Sequence, residues 1–261
     1  MQKKEKKFLK KPINGTKFTL AISSAKGGVG KSTFAINFAS ALSLLGKKVG
    51  ILDADVFGPS LSKLMGIQEK PVIADNKQIE PINKFNLQCM SMGFLVDGNT
   101  PMIWRGPMVI SAIKTLTEKV NWHDLDFIIV DMPPGTGDTQ LTFAQDIKID
   151  GAIIISTPQE LALADVKRGI QMFDRTEIPI IGLIDNMSSF SADGKTYNIF
   201  GKDGVEKVAK EFNKKFLGQI PLDIDLRKSA DEGQPLVNKN KDHAISKIFL
   251  DLAKKITEGF Q

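Results

Sequence analysis

The residues from Ser23 to Thr33 have the types and the spacing that bind the phosphates of a nucleotide. They read Ser-Ser-Ala-Lys-Gly-Gly-Val-Gly-Lys-Ser-Thr. Glycines let successive backbone N–H groups point into one concavity, and a helix that begins there adds partial positive charge. Lys31 can reach the terminal phosphates, and the Ser32 hydroxyl can ligate the Mg²⁺ that accompanies them. We therefore predict a phosphate-binding loop, although a glycine-rich turn with solvated lysines would share its composition.

Two segments with carboxylates could complete such a site. Asp53-Ala54-Asp55 follows the apolar run 49–52, and Asp131 follows the apolar run 125–130. An apolar run that ends in Asp is typical of the carboxylate that holds Mg²⁺, usually through its water shell. After Asp131 come Pro-Pro-Gly-Thr-Gly, which are stiff at one end and flexible at the other, as a nucleotide-sensing segment requires. Each segment alone is also compatible with an ordinary turn or helix cap.

Short apolar runs alternate with helical patterns along the chain, and they must position these residues. They predict strands over 18–22, 49–52, 87–92, 125–130, 151–156, 178–185 and 216–220, and helices over 34–42, 107–119, 160–175, 205–212 and 242–258. Residues 188–204 read as a polar loop. Because ligands bind at the carboxyl ends of parallel strands, the predicted acidic residues fall at the expected edge. We expect an α/β fold in one domain over 17–261, preceded by a basic, disordered tail over 1–16.

Composition limits the other function classes. The chain has 261 residues, 42% of them hydrophobic, which supports a sizeable core. A single cysteine, Cys89, excludes internal disulfides and any multi-cysteine metal site within one chain, and it fits a reducing compartment. The sequence has no apolar run long enough to span a bilayer and no secretory leader, so we expect a cytoplasmic protein without stable membrane insertion. The net charge of +5 is mild, and nucleic acid is an unlikely partner.

Several segments resemble those of the Mrp (ApbC) family of P-loop ATPases, the iron–sulfur cluster carriers of the deviant Walker A class. The second lysine of the loop, Lys26, is one such feature. The others are the segments 53–60, 104–108, 131–138, 157–159, 186–188, 199–201 and 220–223. The resemblance covers residues 18 to about 240. It implies a three-layer, mostly parallel sheet with helices on both faces, a homodimer, ATP and Mg²⁺ as cofactors, hydrolysis used as a switch, and apo iron–sulfur proteins as clients.

The resemblance also implies roles for individual residues. Lys26 would reach the ATP of a partner subunit, Asp55 would orient the attacking water, and Lys31 would complete the catalytic set. Ser32 and Asp131 would serve the metal, Asp53 would support the metal or phosphate region, and Asn186 and Pro221 would flank adenine. The full nucleotide-binding set would be Lys26, Gly27, Gly28, Val29, Gly30, Lys31, Ser32, Thr33, Asp53, Asn186 and Pro221.

The sequence departs from the family at the cluster-binding motif. Many members carry Cys-x-x-Cys between the Asn-Met-Ser and Ile-Phe-Gly segments, whereas residues 188–198 here contain no cysteine. Serine and aspartate are poor substitutes for the thiolates that iron–sulfur clusters prefer. Two hypotheses therefore stand: an ATP-dependent iron–sulfur cluster carrier, and an ATP-switched dimeric scaffold or positioning protein that carries no cluster. A metabolic kinase is a distant third, because the doubled-lysine loop favours hydrolysis.

Overall fold

The structure is a computed structural model that describes residues 10–55, 58–75, 77–95 and 106–260. In these residues the strands, numbered in chain order, are β1 (Thr16–Ser23), β2 (Val49–Asp53), β3 (Ile82–Lys84), β4 (Leu87–Ser91), β5 (Leu125–Asp131), β6 (Gly151–Ser156), β7 (Ile180–Asn186), β8 (Phe190–Ala192), β9 (Lys195–Tyr197) and β10 (Phe216–Ile220).

The α-helices of the same residues are α1 (Lys31–Leu44), α2 (Leu61–Met65), α3 (Gly106–Glu118), α4 (Asp138–Asp146), α5 (Glu160–Arg175), α6 (Gly204–Glu211), α7 (Ile224–Asp231), α8 (Leu236–Lys239) and α9 (Ala244–Thr257). Short 3₁₀ helices cover Met92–Phe94 and Glu258–Phe260. None of the helices in the described ranges is long and apolar enough to cross a membrane.

An eight-stranded sheet has the order β10-β7-β6-β1-β5-β2-β4-β3. Neighbouring strands are parallel except for β3, which is antiparallel to β4. Every residue of β2 and of β6 is buried. Strands that are covered on both faces have near-continuous apolar sequences, and this is why their positions could be predicted.

The helices lie on both faces of the sheet. The connection β1–α1–β2 crosses the sheet in one direction, and β5–α4–β6–α5–β7 crosses it in the other. Because such crossovers are right-handed, α1 lies on the face opposite to α4 and α5. The packing agrees, since α1 contacts α8 and α9, whereas α5 contacts α6 and α3 contacts α4. The predicted three-layer, mostly parallel α/β fold is confirmed.

The predicted loop over 188–204 is wrong in its middle, where β8 and β9 form an antiparallel hairpin. Asp193 and Gly194 form its turn with φ values of 51° and 71°. An Asp-Gly pair between two short strands is a strong signal for such a turn. The sequence patterns also missed the helices α4, α7 and α8. Two parts of the segments that carry the family resemblance lie outside the described residues: 56–57 of the segment 53–60, and 104–105 of the segment 104–108.

The predicted tail is wrong for residues 10–16, because this segment packs onto the domain. The Lys11 amide donates to the Asp146 carbonyl at 2.9 Å, and the Lys148 amide donates to the Lys11 carbonyl at 2.8 Å. The Ile13 side chain is buried at 1% exposure. Lysine content predicts a solvated segment, but the backbone bonds and one apolar anchor decide its placement. Residues 1–9 lie outside the described part of the chain.

We predict that Ile13→Ala lowers the free energy of unfolding by about 2–5 kcal/mol, as expected for truncating a fully buried Ile. Urea denaturation of the full chain measures this change. Lys11→Ala is the matched control, because its side chain is exposed and its ion pair with Glu118 lies at the surface. Equal and small effects of the two variants would contradict the packed placement of residues 10–16.

Candidate functional site

The loop between β1 and α1 has the backbone geometry of an anion cradle. Gly28 and Gly30 have φ values of 80° and 85°, a region that side chains rarely adopt. At Gly30 an added Cβ would lie 2.3 Å from Asn186 Nδ2, so a side chain there would also displace the Asn186 amide. Helix α1 begins at Lys31, directly after this loop, and its first amides face the same space.

Lys31 forms a buried ion pair with Asp131. Its Nζ contacts Asp131 Oδ1, and the two side chains are 7% and 4% exposed. The pair forms because β1 and β5 are neighbours, with Ile22 paired to Asp131 in the register of the sheet. The Lys31 ammonium also lies 3.5 Å from Ser32 Oγ. The predicted phosphate-binding lysine and the predicted metal ligands therefore converge on one point.

A cavity of about 270 Å³ opens beside this ion pair. Predicted site residues make up much of its lining, and four further residues, Ser24, Ser60, Leu64 and Pro134, complete it. The predicted members are Gly27, Gly28, Gly30, Lys31, Ser32, Thr33 and Asp55. Backbone amides and a lysine suit phosphates, and the Ser32 hydroxyl with the nearby Asp131 carboxylate offers the hard oxygen ligands that Mg²⁺ prefers. The residues fit a Mg²⁺–nucleoside triphosphate.

Asp53 lies behind the cavity and organises the chain around it. Its Oδ2 accepts hydrogen bonds from the Ser60 and Leu61 amides at 2.9 and 3.1 Å and from Ser91 Oγ at 3.1 Å. Its Oδ1 accepts one from the Asp55 amide at 3.1 Å. Burial and the negative charge of Asp131 raise the pKa of Asp53 to about 7, against the opposing amide hydrogen bonds.

Asp55 reaches the cavity from the carboxyl end of β2. Its Oδ1 accepts a hydrogen bond from the Gly58 amide at 3.2 Å, which holds the carboxylate at the start of the turn. The other side of the cavity is formed by Pro134, from the segment after β5. A carboxylate in this position can align a water molecule with the terminal phosphate of a bound nucleotide.

Asn186 fastens the phosphate-binding loop to β7. Its Nδ2 donates to the Val29 carbonyl at 2.7 Å, and its side chain is buried. The segment after Asn186 joins the Pro221 loop, since the Ser188 amide donates to the Ile220 carbonyl at 3.1 Å. The structure thus brings Asn186 and Pro221 together. Their contact with adenine stays a prediction, as do the roles assigned to Lys26 and Val29.

The sequence analysis missed Gln140, which ties the segment after β5 to the base of the loop. Its Nε2 donates to Ser23 Oγ at 2.6 Å, and the Gly135 amide donates to the Ser24 carbonyl at 3.0 Å. Gln140 lies in α4, and it was missed because the sequence patterns predicted no helix there. The Asp138 at the start of that helix was the available signal, because acidic residues favour the first turn.

Cys89 lies in the interior of the sheet. It is fully buried in β4 between β2 and β3. Burial raises the pKa of its thiol to about 12, so the thiolate that binds metals is suppressed. In this fold Cys89 is therefore not available as an iron ligand.

The fold is that of the P-loop nucleoside triphosphatases. The geometry of the phosphate-binding loop, of Lys31 and of the aspartates Asp55 and Asp131 also defines this class. Residues 15–257 match the family model described as "ParA: NUBPL iron-transfer P-loop NTPase". This match covers nearly the whole chain, and the chain belongs to this family. The predicted resemblance to iron–sulfur carrier ATPases is confirmed.

Relatives with known names agree. An Arabidopsis thaliana protein named "Iron-sulfur protein required for NADH dehydrogenase, mitochondrial" is 45% identical over 252 residues, which cover 95% of this chain and 80% of that protein. The "Iron-sulfur cluster carrier protein" of Aquifex aeolicus is 44% identical over 255 residues, 96% of this chain and 70% of that protein. A solved nucleotide-binding protein from Archaeoglobus fulgidus, in complex with ADP, is 36% identical with a TM-score of 0.75, covering 85% and 88% of the two chains.

Asp185 is a buried carboxylic acid that the nucleotide site does not use. It precedes Asn186 in β7, and both of its carboxyl oxygens are buried without a hydrogen-bond partner. Burial, with the charge of Asp203 as a smaller cause, raises its pKa from 3.8 to about 7. The folded protein thus keeps a proton there that the unfolded chain loses near pH 4.

We predict that this proton makes stability depend on pH. Because the folded pKa is raised, the contribution of Asp185 is fully present below about pH 4 and is lost as the pH rises to about 7. Between pH 4 and 8, Asp185→Asn should gain stability relative to the wild type by up to about 4 kcal/mol, at about 1.4 kcal/mol per pKa unit. Urea denaturation across this pH range measures the difference.

Asp193→Asn is the matched control, since Asp193 lies at the exposed turn of the β8–β9 hairpin. This variant removes one exposed carboxylate, so it controls for the loss of a charge at the surface. A pH-independent difference between Asp185→Asn and the wild type would contradict the prediction.

Proposed function

We propose that this protein binds and hydrolyses Mg²⁺-ATP and uses this cycle to deliver iron–sulfur clusters to apoproteins. The observation that carries the nucleotide part of this proposal is that Lys31 and Asp55 line the cavity of the phosphate-binding loop, with Asp131 paired to Lys31. Membership of the iron-transfer family supports the cargo half. The Aquifex relative is itself named a cluster carrier.

The residues divide the nucleotide chemistry among them. Backbone amides of the loop would bind the phosphates, and Lys31 would exchange Asp131 for the terminal phosphates when nucleotide enters. Ser32 and the released Asp131 carboxylate would then hold Mg²⁺, directly or through its water. Asp55 would align the attacking water, while Asn186 and Pro221 would flank adenine. Bound Mg²⁺ neutralises the charge that develops on the phosphates.

A homodimer would complete the site, with Lys26 reaching the nucleotide of the partner subunit. The outer side of the loop is open to such an approach. Gly27 and Gly28 are exposed, and a Cβ added to either would meet nothing within 4 Å. Lys26 lies beside them and is only partly buried. We propose a cytoplasmic location, with which a chain that has a single thiol and therefore no internal disulfide is compatible.

The second candidate is an ATP-switched scaffold that carries no cluster. Residues 188–198 lack cysteine and fold as a hairpin, and Cys89 is buried. A retained cluster would therefore need ligands other than thiolates of this chain. Client apoproteins or small thiols could supply such ligands.

Anaerobic reconstitution with iron and sulfide tests the cargo. After desalting, iron and acid-labile sulfide are counted per chain, and transfer to an apo iron–sulfur protein is followed with and without Mg²⁺-ATP. Cys89→Ser runs beside the wild type as the matched control, and both should behave alike because this thiol is buried. Nucleotide-dependent transfer supports the carrier. Intact ATP hydrolysis without retained or transferred iron would favour the scaffold.

We predict that Lys31→Ala reduces ATP binding and hydrolysis to background. The variant loses the phosphate contact and leaves Asp131 as an unpaired buried carboxylate. Phosphate release and isothermal titration with Mg²⁺-ATP measure the two effects. Lys48→Ala removes an exposed lysine that pairs with Asp124 and serves as the control. Near-normal turnover of Lys31→Ala would refute the assignment of the loop.

We predict that Asp55→Asn binds ATP with nearly normal affinity but hydrolyses it roughly 100-fold more slowly, because an amide cannot take up a proton or align water as a carboxylate does. Single-turnover hydrolysis separates this effect from binding. Asp124→Asn controls for the loss of one charge, because Asp124 directly precedes β5 at the amino-terminal end of the strand, away from the cavity. Equal single-turnover rates in Asp55→Asn and the wild type would remove Asp55 from the mechanism.

A further inference from the structure

Three metal-ligating side chains converge away from the nucleotide cavity. Asp223 precedes α7, Asp225 lies in its first turn, and His243 precedes α9. One ligand atom of each lies within 4.8 Å of the others. No role in the nucleotide chemistry falls to any of the three. They lie at the junction of the Pro221 loop, α7 and α9.

The separation of His243 and Asp225 fits a shared ion better than a direct contact, whereas the Asp223 ligand atom, within 4.8 Å of both, would move closer to join them. His243 Nε2 lies 3.6 Å from Asp225 Oδ2, which is too long for a hydrogen bond. Two ligands on one ion, each about 2.1 Å from it, lie about 3 to 4 Å apart. The side chains of His243 and Asp225 are 21% and 59% exposed, so an ion can enter from solvent.

Hydrogen bonds orient two of these side chains at the starts of α7 and α9. Asp223 Oδ1 accepts from the Leu226 amide at 2.8 Å, which leaves Oδ2 for an ion. His243 Nδ1 accepts from the Ile245 amide at 3.2 Å, so the neutral ring carries its proton on Nε2. Metal binding at Nε2 would therefore require this proton to move to Nδ1, at the cost of the hydrogen bond with the Ile245 amide.

We propose that Asp223, Asp225 and His243 bind one divalent first-row transition-metal ion, of the Zn²⁺, Co²⁺ or Fe²⁺ type. Two carboxylates and a neutral imidazole supply two negative charges and one nitrogen ligand, with water in the remaining positions. The imidazole selects against Mg²⁺ and Ca²⁺, and the lack of a thiolate selects against Cu⁺. The ion would link the Pro221 loop to α9, which packs on α1 through Phe249 and Phe34. This site is independent of the proposed function.

Cobalt provides the direct test, because Co²⁺ absorbs visible light when nitrogen and oxygen ligands bind it. The full chain, treated with chelator and free of nucleotide, is titrated with Co²⁺ in excess Mg²⁺, which occupies sites built only from oxygen. We expect one Co²⁺ per chain. His243→Asn, which keeps a cap-forming side chain, and Asp225→Asn should each weaken binding at least about 10-fold.

Two controls match these variants. His123→Asn removes an exposed histidine that pairs with Glu80, and Asp231→Asn removes a carboxylate at the other end of α7. Neither should change Co²⁺ affinity. With diamagnetic Zn²⁺ in place of Co²⁺, the ¹⁵N spectrum of the His243 ring should also change from the Nε2–H to the Nδ1–H tautomer on metal binding.

Binding below one equivalent in the wild type, or unchanged affinity in His243→Asn, overturns the proposal. If Asp225→Asn fails to fold, judged by circular dichroism, the His243→Asn titration and the ring ¹⁵N spectrum decide. An unchanged tautomer at saturating Zn²⁺ would also overturn it, because the ion would then be bound elsewhere.

Discussion

A buried ion pair between Lys31 and Asp131 determines how this molecule meets its ligand. Removing both charges from water costs several kcal/mol per ion, and their mutual attraction offsets this only while both partners stay together. In the proposed function, a bound phosphate would replace Asp131 as the partner of Lys31, and Mg²⁺ would replace Lys31 as the partner of Asp131. Burial and the charge of Asp131 raise the pKa of the nearby Asp53, so less negative charge gathers beside the pair. The buried lysine is therefore paired before any ligand enters, and ligand entry would be an exchange of partners.

The phosphate-binding loop is fastened from two sides, and this links distant segments to its state. On the β5 side, Gly135 and Gln140 bond to Ser24 and Ser23 at the base of the loop. On the β7 side, Asn186 bonds to the Val29 carbonyl. A backbone shift on nucleotide entry would reach both the Pro-Pro-Gly-Thr-Gly segment and the chain that leads into the β8–β9 hairpin. These contacts physically connect the nucleotide cavity with the β8–β9 hairpin.

The sequence revealed those parts of the site in which chemistry and local structure coincide. Buried parallel strands are continuous apolar runs, and an Asp at the end of such a run stands out. The pairing of Lys31 with Asp131 could not be read locally, because it depends on β1 lying beside β5, although the two residues are 100 positions apart. Asp185 lay hidden at the end of an apolar strand. Its significance depends on which face of β7 is covered, and sequence periodicity does not show this.

Residues 10–16 and the hairpin illustrate two different kinds of error. For residues 10–16, the prediction of a disordered tail gave more weight to the lysine content than to a single apolar residue. In the structure, Ile13 and the backbone hydrogen bonds of Lys11 hold the segment in place. In the second, the signal was present, since Asp193-Gly194 lies between two short strand-forming segments. The polar composition around it masked a period of two residues over only three positions on each side.

The β8–β9 hairpin pairs with itself and not with the eight-stranded sheet. Main-chain bonds at its base, between Ser188 and Ile220 and between Ser189 and Leu222, join it to the Pro221 loop. Its length and side chains can therefore drift during evolution without shifting the register of any strand that supports the phosphate-binding loop. Substitutions in the hairpin, including new cysteines, would leave the strands around the phosphate-binding loop in place. Because the hairpin does not pair with the eight-stranded sheet, a cluster-binding loop could be grafted in its place.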